Sequence, residues 1–192
     1  KTNYLNKIFS LLIILGLIFG LINLSEDYKH KYYYQIETLF KKNGITNFYR
    51  NSQYGAHYDT AIQIFYKYPL FGVGIKNFRF ESGKDIYIND DFEKNNSRQA
   101  THPHQVHLEF LSETGIFGYF CFLLFISYSL IVSLKNYLRH KNIFQLASMI
   151  FILTSLLPLL PSGSFLSTFN SGIFWINYII MIGLCRDLKF KF

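Results

Sequence analysis

The sequence predicts an all-α polytopic membrane protein with four transmembrane helices and one large, partly helical extracytoplasmic loop. Half of the 192 residues are hydrophobic and only 16% are charged, against about a quarter in typical soluble domains. The apolar residues concentrate in four runs, at 8–24, 116–134, 143–160 and 172–185. The first two runs contain no charge and approach the roughly 20 residues that span the hydrocarbon core. A simple soluble enzyme is therefore excluded.

The first predicted span, 8–24, follows Lys1 and Lys7, which is also the pattern of a signal peptide. No small-x-small cleavage site follows the run, which continues into Ser25, so a span is favoured. Because the sequence starts at Lys1 rather than Met, we expect it to be the C-terminal part of a longer protein.

The distribution of charge predicts the topology. The net charge is +7, but the loop 25–115 contains eleven Lys/Arg and eleven Asp/Glu and is neutral. The excess positive charge lies in three short stretches beside the spans, at 1–7, 135–141 and 186–191. By the positive-inside rule these stretches face the cytoplasm, and 25–115 lies outside. A basic nucleic-acid surface is excluded, and membrane lipid is the expected surrounding.

The long loop shows helical patterning. Pro69 ends a segment, 57–68, in which apolar residues recur at the i, i+3, i+4 and i+7 spacing of one helix face. These residues are Ala61, Ile64, Phe65 and Tyr68. A second helix is predicted to begin near His104 and to continue into the span 116–134. The loop is therefore expected to be a partly folded cap.

The last two spans are irregular. The run 172–185 rises only about 21 Å as a helix, short of the roughly 30 Å hydrocarbon core. Pro158 and Pro161 interrupt the preceding span near its outer end. Segment 162–171 is accordingly expected to line a pocket, or to begin a tilted helix near Ser164.

The densest group of chemically active residues lies at 101–109, THPHQVHLE, which holds three of the six histidines. One interpretation is a metal site, since His104 and His107 are one helical turn apart and Glu109 follows. Neither an HExxH motif nor a cysteine pair is present. A second interpretation is acid–base catalysis by histidine near neutral pH. The third is a helix cap or a solvated interface, and the histidines alone leave all three open.

Two motifs extend this group across the loop. Residues 69–79 have the sequence PLFGVGIKNFR, and residues 102–118 have the sequence HPHQVHLEFLSETGIFG. In order and spacing, region 54–118 resembles the O-antigen ligase and polymerase family. There, PlfGvGxgnF precedes a variable stretch, and H-x-H-N-x-x-L-E-x-L-x-E-x-G-I-x-G leads into a transmembrane helix.

The resemblance implies the C-terminal part of a GT-C-like glycosyltransferase in the bacterial inner membrane, with the large loop in the periplasm. Such enzymes transfer a glycan from an undecaprenyl-diphosphate carrier to a sugar hydroxyl during lipopolysaccharide or surface polysaccharide synthesis. The acceptor is lipid A–core in ligases and the growing O-antigen chain in polymerases. The resemblance further implies inversion at the anomeric carbon, with neither cofactor nor metal. We expect this chain alone to be inactive, because the carrier would bind between spans that it lacks.

The resemblance also implies roles for individual residues. His104 matches the family histidine and is the expected general base, although Gln105 replaces the Asn that follows it. Glu109 is the runner-up base, together with Glu113, and His107 is expected to support His104.

Cationic groups of the loop are expected to bind the diphosphate. Arg79 and Lys76 lie in the first motif, and both suit an anionic leaving group. Family members often have an Arg at the position of Tyr54, so Arg50, His57 or Arg79 itself is expected to take that part here.

Two other classes of protein remain as alternatives. A non-catalytic transport or flippase component would be expected to place polar or charged residues within its spans, and these spans have essentially none. A zinc-dependent membrane hydrolase would lose activity on chelation, whereas the transferase would not.

Overall fold

The computed structural model describes residues 4–29, 33, 37, 40, 43–158 and 161–185. Every regular element within these residues is a helix, so the all-α prediction is confirmed. The chain divides into two compact units, residues 1–50 and residues 51–192.

The first unit contains α1, Tyr4–Asn23, and most of α2, Gly44–Asn51. Helix α1 overlaps the apolar run 8–24 and exposes apolar side chains along its length, among them Phe9, Leu17 and Phe19. A helix with apolar residues on its exposed faces is typical of contact with lipid or with other apolar segments.

The second unit holds five further α-helices of the described chain. These are α3 (Gln53–Lys67), α4 (Phe78–Glu81), α5 (Val106–His140), α6 (Ile143–Ser155) and α7 (Thr168–Gly183), with 3₁₀ turns at Asp85–Tyr87 and Asn95–Ser97. Among the described helices, α5 is long and apolar enough to cross a membrane. Shorter apolar helices occur at Ile8–Asn23, Ile143–Ser155 and Phe169–Gly183.

Helices α5, α6 and α7 pack around a shared apolar core. Its fully buried members include Ile152 and Met181, with Ile126 and Phe174 close to full burial. A buried polar contact ties all three helices together at one end of the bundle. Asn136 Nδ2 on α5 donates to Gln145 Oε1 on α6 (2.8 Å), and Gln145 Nε2 donates to the Met181 carbonyl on α7 (3.1 Å).

A second, smaller core forms where α3 packs against the N-terminal part of α5. Ala61 and Ile64 of the predicted apolar stripe are fully buried there, against Phe78 of α4 and Tyr87. Ser52 caps α3 by accepting a hydrogen bond from the Gly55 amide (3.0 Å). The helix predicted within the loop is therefore present as α3, and it holds the folded part of the loop against α5.

Helix α5 is interrupted at Gly115, where the backbone has φ 65° and ψ −171°. The turn that follows α3 crosses the helix at this break. The Ile116 amide donates to the Pro69 carbonyl (2.8 Å), and the Val73 amide donates to the Ser112 carbonyl (3.0 Å). The backbone groups freed by the break are thus satisfied by the crossing turn.

Candidate functional site

Three histidines form one cluster at the N-terminal end of α5. The ring centroids of His102 and His104 are 4.0 Å apart, and His57 of α3 stacks on His104 at 5.1 Å. Tyr54 meets the His104 ring edge-on at 5.7 Å. We call His57, His102 and His104 the histidine cluster.

Backbone conformation and hydrogen bonds of the rings together fix the positions of the three histidines. His104 has φ 58°, a left-handed conformation uncommon outside glycine, and its carbonyl accepts a hydrogen bond from the Ser162 amide (2.7 Å). His57 Nε2 bonds to the Ser97 carbonyl (2.8 Å), and His102 Nδ1 bonds to Thr101 Oγ1 (2.9 Å). His104 is therefore held from its backbone, and its two neighbours from their rings.

Burial lowers the pKa of all three histidines below the ordinary value of 6.5. The charge of His102 lowers the pKa of His104 further. The pKa of His102 is lowered in addition by His57 and by Arg79. The rings are therefore more fully neutral at pH 7 than free imidazole, which is the state that a general base requires.

A polar cleft of about 380 Å³ adjoins the histidine cluster, and His102 belongs to both. Its two cations, Lys76 and Arg79, face hydroxyl and amide groups across the space. The remaining lining residues are Thr101, Gly163, Ser164, Ser167 and Asn170. Cations together with hydroxyl and amide groups are suited to a phosphate or diphosphate. We call this space the polar cleft.

Two buried carboxylates on α5 hold the walls of the polar cleft. Glu109 accepts hydrogen bonds from Ser164 Oγ (2.5 Å) and from the Phe165 amide (2.7 Å). Glu113 accepts from the Lys76 amide (2.6 Å) and from the Phe78 amide (3.2 Å). Both side chains are 1% exposed. Each carboxylate therefore ties one wall segment to the helix.

Gln105 and His107 make local contacts in the same motif. The Gln105 side chain accepts a hydrogen bond from the Leu108 amide (2.7 Å) and so caps α5. The two ring nitrogens of His107 bond to the Leu156 carbonyl (2.8 Å) and to the Tyr119 hydroxyl (2.9 Å). His107 thus links α5 to the end of α6, and it lines a second, mainly apolar pocket of about 520 Å³.

The candidate site includes most of the residues that the sequence singled out. His57 and His104 lie in the histidine cluster, and Lys76 and Arg79 lie in the polar cleft. Arg50 lies in the last turn of α2, in the other unit, and is exposed.

Segment 162–171 does line a pocket, as the sequence suggested, since Ser164, Ser167 and Asn170 face the polar cleft. Sequence reasoning missed His102, although it stands in the same motif as His104. The spacing could have indicated it, because His102 lies only two residues before His104 in the same motif.

The metal interpretation of the histidines requires several ligand side chains to lie around one point. Within the residues that the structure describes, no group of three or more His, Cys, Asp or Glu side chains is arranged to hold a metal ion. Within the histidine cluster, the His57 ring is stacked on His104 and the His102 ring is tilted against it.

A family model described as O-antigen ligase matches residues 2–123, more than half of the chain and all of the two loop motifs. No curated protein and no solved structure matches.

Proposed function

The chain belongs to the O-antigen ligase family, and we propose that it transfers a glycan from an undecaprenyl-diphosphate carrier to a sugar hydroxyl in surface polysaccharide synthesis. The observation that supports this proposal is the sharing of His102 between the histidine cluster and the polar cleft. A group that can accept a proton thus lies beside a space suited to a diphosphate.

In the proposed reaction the polar cleft binds the diphosphate of the donor. Lys76 and Arg79 neutralise the negative charge that grows on the leaving diphosphate as the glycosidic C–O bond breaks. Hydroxyl and amide groups of Ser164, Ser167 and Asn170 supply further donors. The sequence adds Arg50 as a further candidate cation for the diphosphate.

His104 is the proposed general base. It takes the proton of the acceptor hydroxyl while that oxygen forms the new bond to the anomeric carbon, and the bonding pair leaves with the diphosphate. Attack opposite the leaving group inverts the anomeric centre. His57 stacks on His104 and keeps the ring in place, and the lowered pKa of His104 keeps it neutral and ready to accept a proton.

Glu109 was the second expected catalytic residue. Both of its oxygens are occupied by Ser164 and Phe165, so the proposal gives it a positioning part in the wall of the cleft. His107 is likewise proposed to hold α5 against α6, because both ring nitrogens are bonded.

We further propose that four apolar helices cross the bacterial inner membrane and that the loop 25–115 lies in the periplasm. A single cysteine at Asn96, exposed in the loop, tests this in a full-length protein whose other cysteines are replaced. A membrane-impermeant thiol reagent added to intact spheroplasts should label Asn96→Cys. Labelling only after lysis would place the loop in the cytoplasm and refute the topology.

The proposed function is tested on surface polysaccharide separated by gel, in a host that lacks the full-length gene. The host is complemented with wild type, His104→Ala, or the control His140→Ala at the far end of α5. We expect loss of mature polysaccharide only with His104→Ala. Core with a single repeat would identify a polymerase, and bare core with glycan on its carrier would identify a ligase.

Full polysaccharide with His104→Ala would refute the general base. The zinc-hydrolase alternative is tested in membranes prepared from the complemented host, because a chelator should abolish hydrolysis by a zinc enzyme and leave the proposed transfer unchanged.

A further inference from the structure

Lys76 and Arg79 stand on a short turn whose backbone conformation is unusual. Lys76 has φ 62°, in the left-handed region that residues other than glycine and asparagine rarely adopt. The next residues enter α4, where Phe78 is fully buried and Arg79 follows in the first turn. The direction in which both cations face therefore depends on what holds this turn.

Glu113 is the side chain of α5 that holds it. Its Oε2 accepts from the Lys76 amide (2.6 Å), at the residue with positive φ, and its Oε1 accepts from the Phe78 amide (3.2 Å). The backbone of Glu113 also accepts from the Gly74 amide (2.8 Å). One residue thus holds the turn at three points: at Lys76, two residues before it and two residues after it.

The fold of this region has other supports that do not involve the carboxylate. Phe78 packs in the core with Ala61, Ile64 and Tyr87, and the crossing turn bonds to both halves of α5. Loss of the Glu113 carboxylate should therefore leave α4 attached while freeing the turn at Lys76. If Glu113 served only to keep the fold together, its loss would be expected to loosen α4 as well as the turn that carries Lys76.

We infer that Glu113 is a positioning residue for anion binding. It holds the backbone of Lys76 in its left-handed conformation so that Lys76 and Arg79 both face the polar cleft. This inference rests on the proposed function, in which that cleft receives the diphosphate of the donor. Glu113 itself touches no substrate and takes no proton, and its effect appears in binding rather than in the chemical step.

The test compares full-length wild type with Glu113→Gln, using inorganic pyrophosphate as a competitor of the donor. Gln keeps the size of Glu113 but has one acceptor oxygen, so its amide group would oppose one of the two backbone N–H groups. We expect Ki for pyrophosphate and KM for the donor to rise about tenfold, close to the low end of what one hydrogen bond to a charged group contributes, with kcat within about twofold.

Glu81→Gln is the matched control. Glu81 is also a buried carboxylate and lies two residues after Arg79, but it bonds to the Tyr87 hydroxyl (2.6 Å) and to Lys84 (2.5 Å) away from the polar cleft. We expect this variant to lower thermal stability and to leave Ki for pyrophosphate unchanged. An equal rise in Ki in both variants would show a general effect of lost stability and would overturn the inference.

Glu113→Asp decides the matter if Glu113→Gln does not fold. It keeps both oxygens and the charge but withdraws them by one methylene, so an intermediate rise in Ki is expected. An unchanged Ki in the variants that fold would overturn the inference. Lys76→Ala separates the two proposals, because inhibition of wild type by pyrophosphate that Lys76→Ala does not weaken would refute the proposed cleft itself.

Discussion

Gly72 lies in the turn after α3, and Gly115 lies at the break in α5 that this turn crosses. The two segments can approach each other closely because neither residue has a side chain. Gly72 has φ 64° and Gly115 has φ 65°, and both conformations are strained for residues that have a Cβ. A Cβ on Gly72 would overlap the Glu113 backbone, and a Cβ on Gly115 would overlap the Leu70 backbone. These two glycines explain in physical terms why both loop motifs contain glycine where the chain crosses α5.

Replacing either glycine by alanine should therefore destabilise the cap. We expect Gly72→Ala and Gly115→Ala each to cost about 2 to 4 kcal/mol, from backbone strain together with displacement of the crossing segment. The measurement is thermal unfolding of the purified full-length protein in detergent. Gly172→Ala in α7 is the control, because its Cβ would meet no atom within 4 Å, and it should change stability by no more than about 1 kcal/mol. Equal stability of all three variants would contradict this account of the crossing.

Local patterns were sufficient to predict much of the cap. The spacing of Ala61 and Ile64 predicted α3 and its buried face, because helical periodicity depends only on neighbouring residues. The histidine motif predicted where the candidate site lies, and His104 is in contact with His57 across 47 positions of sequence.

The partners of the two carboxylates could not be predicted in this way. Glu113 bonds to Lys76 and Glu109 bonds to Ser164, contacts between residues 37 and 55 positions apart. Such contacts depend on how α5, the crossing turn and segment 162–171 pack together, and no periodicity in the sequence encodes that packing. The polar segment 82–101 is another example, since the buried Arg98 donates to the Gly83 carbonyl (3.2 Å) within it.

Gln105 should be replaceable by a residue that caps a helix equally well. Its side chain accepts from the Leu108 amide at the start of α5, and asparagine is among the preferred residues at this position. We expect Gln105→Asn to keep or raise the thermal stability, and Gln105→Ala to cost about 1 kcal/mol. Both are measured by thermal unfolding in detergent. An unchanged thermal stability in Gln105→Ala would show that this helix cap contributes nothing to the stability of the fold.

Glu109→Gln should distinguish a positioning carboxylate from a general base. Loss of a general base typically costs about 100-fold to 10,000-fold in kcat. Because Glu109 bonds to Ser164 and Phe165, we expect less than a tenfold loss of kcat, together with a rise in KM for the donor. Ser164→Ala removes one of the same hydrogen bonds from the other side and should have a similar effect, with the double variant little worse than either single one. A loss of kcat above 100-fold in Glu109→Gln alone would identify it as the base.

The histidine cluster should make folding depend on pH. The pKa values of His57, His102 and His104 are lowered in the folded state, so the unfolded chain binds protons first as the pH falls. Stability should be fully present above about pH 6.5 and should decline below it, towards the folded-state pKa values. Thermal unfolding between pH 8 and pH 5 measures this slope. His57→Phe should reduce the slope, because one of the three buried rings then no longer gains a proton on unfolding.

His102→Asn should move the acid limb of the activity profile to higher pH. His104 acts as a base only when neutral, and the charge of His102 helps to lower its pKa. Removing that charge should raise the pKa of His104, so that a higher pH is needed to keep the ring neutral, while burial still holds the pKa below its ordinary value. The measurement is kcat/KM against pH for the full-length enzyme, in wild type and His102→Asn. Because His102 also lines the polar cleft, the maximum rate is expected to fall as well, and the position of the limb is the quantity that decides. A limb that stays in place or moves to lower pH would show that His104 is not the titrating base.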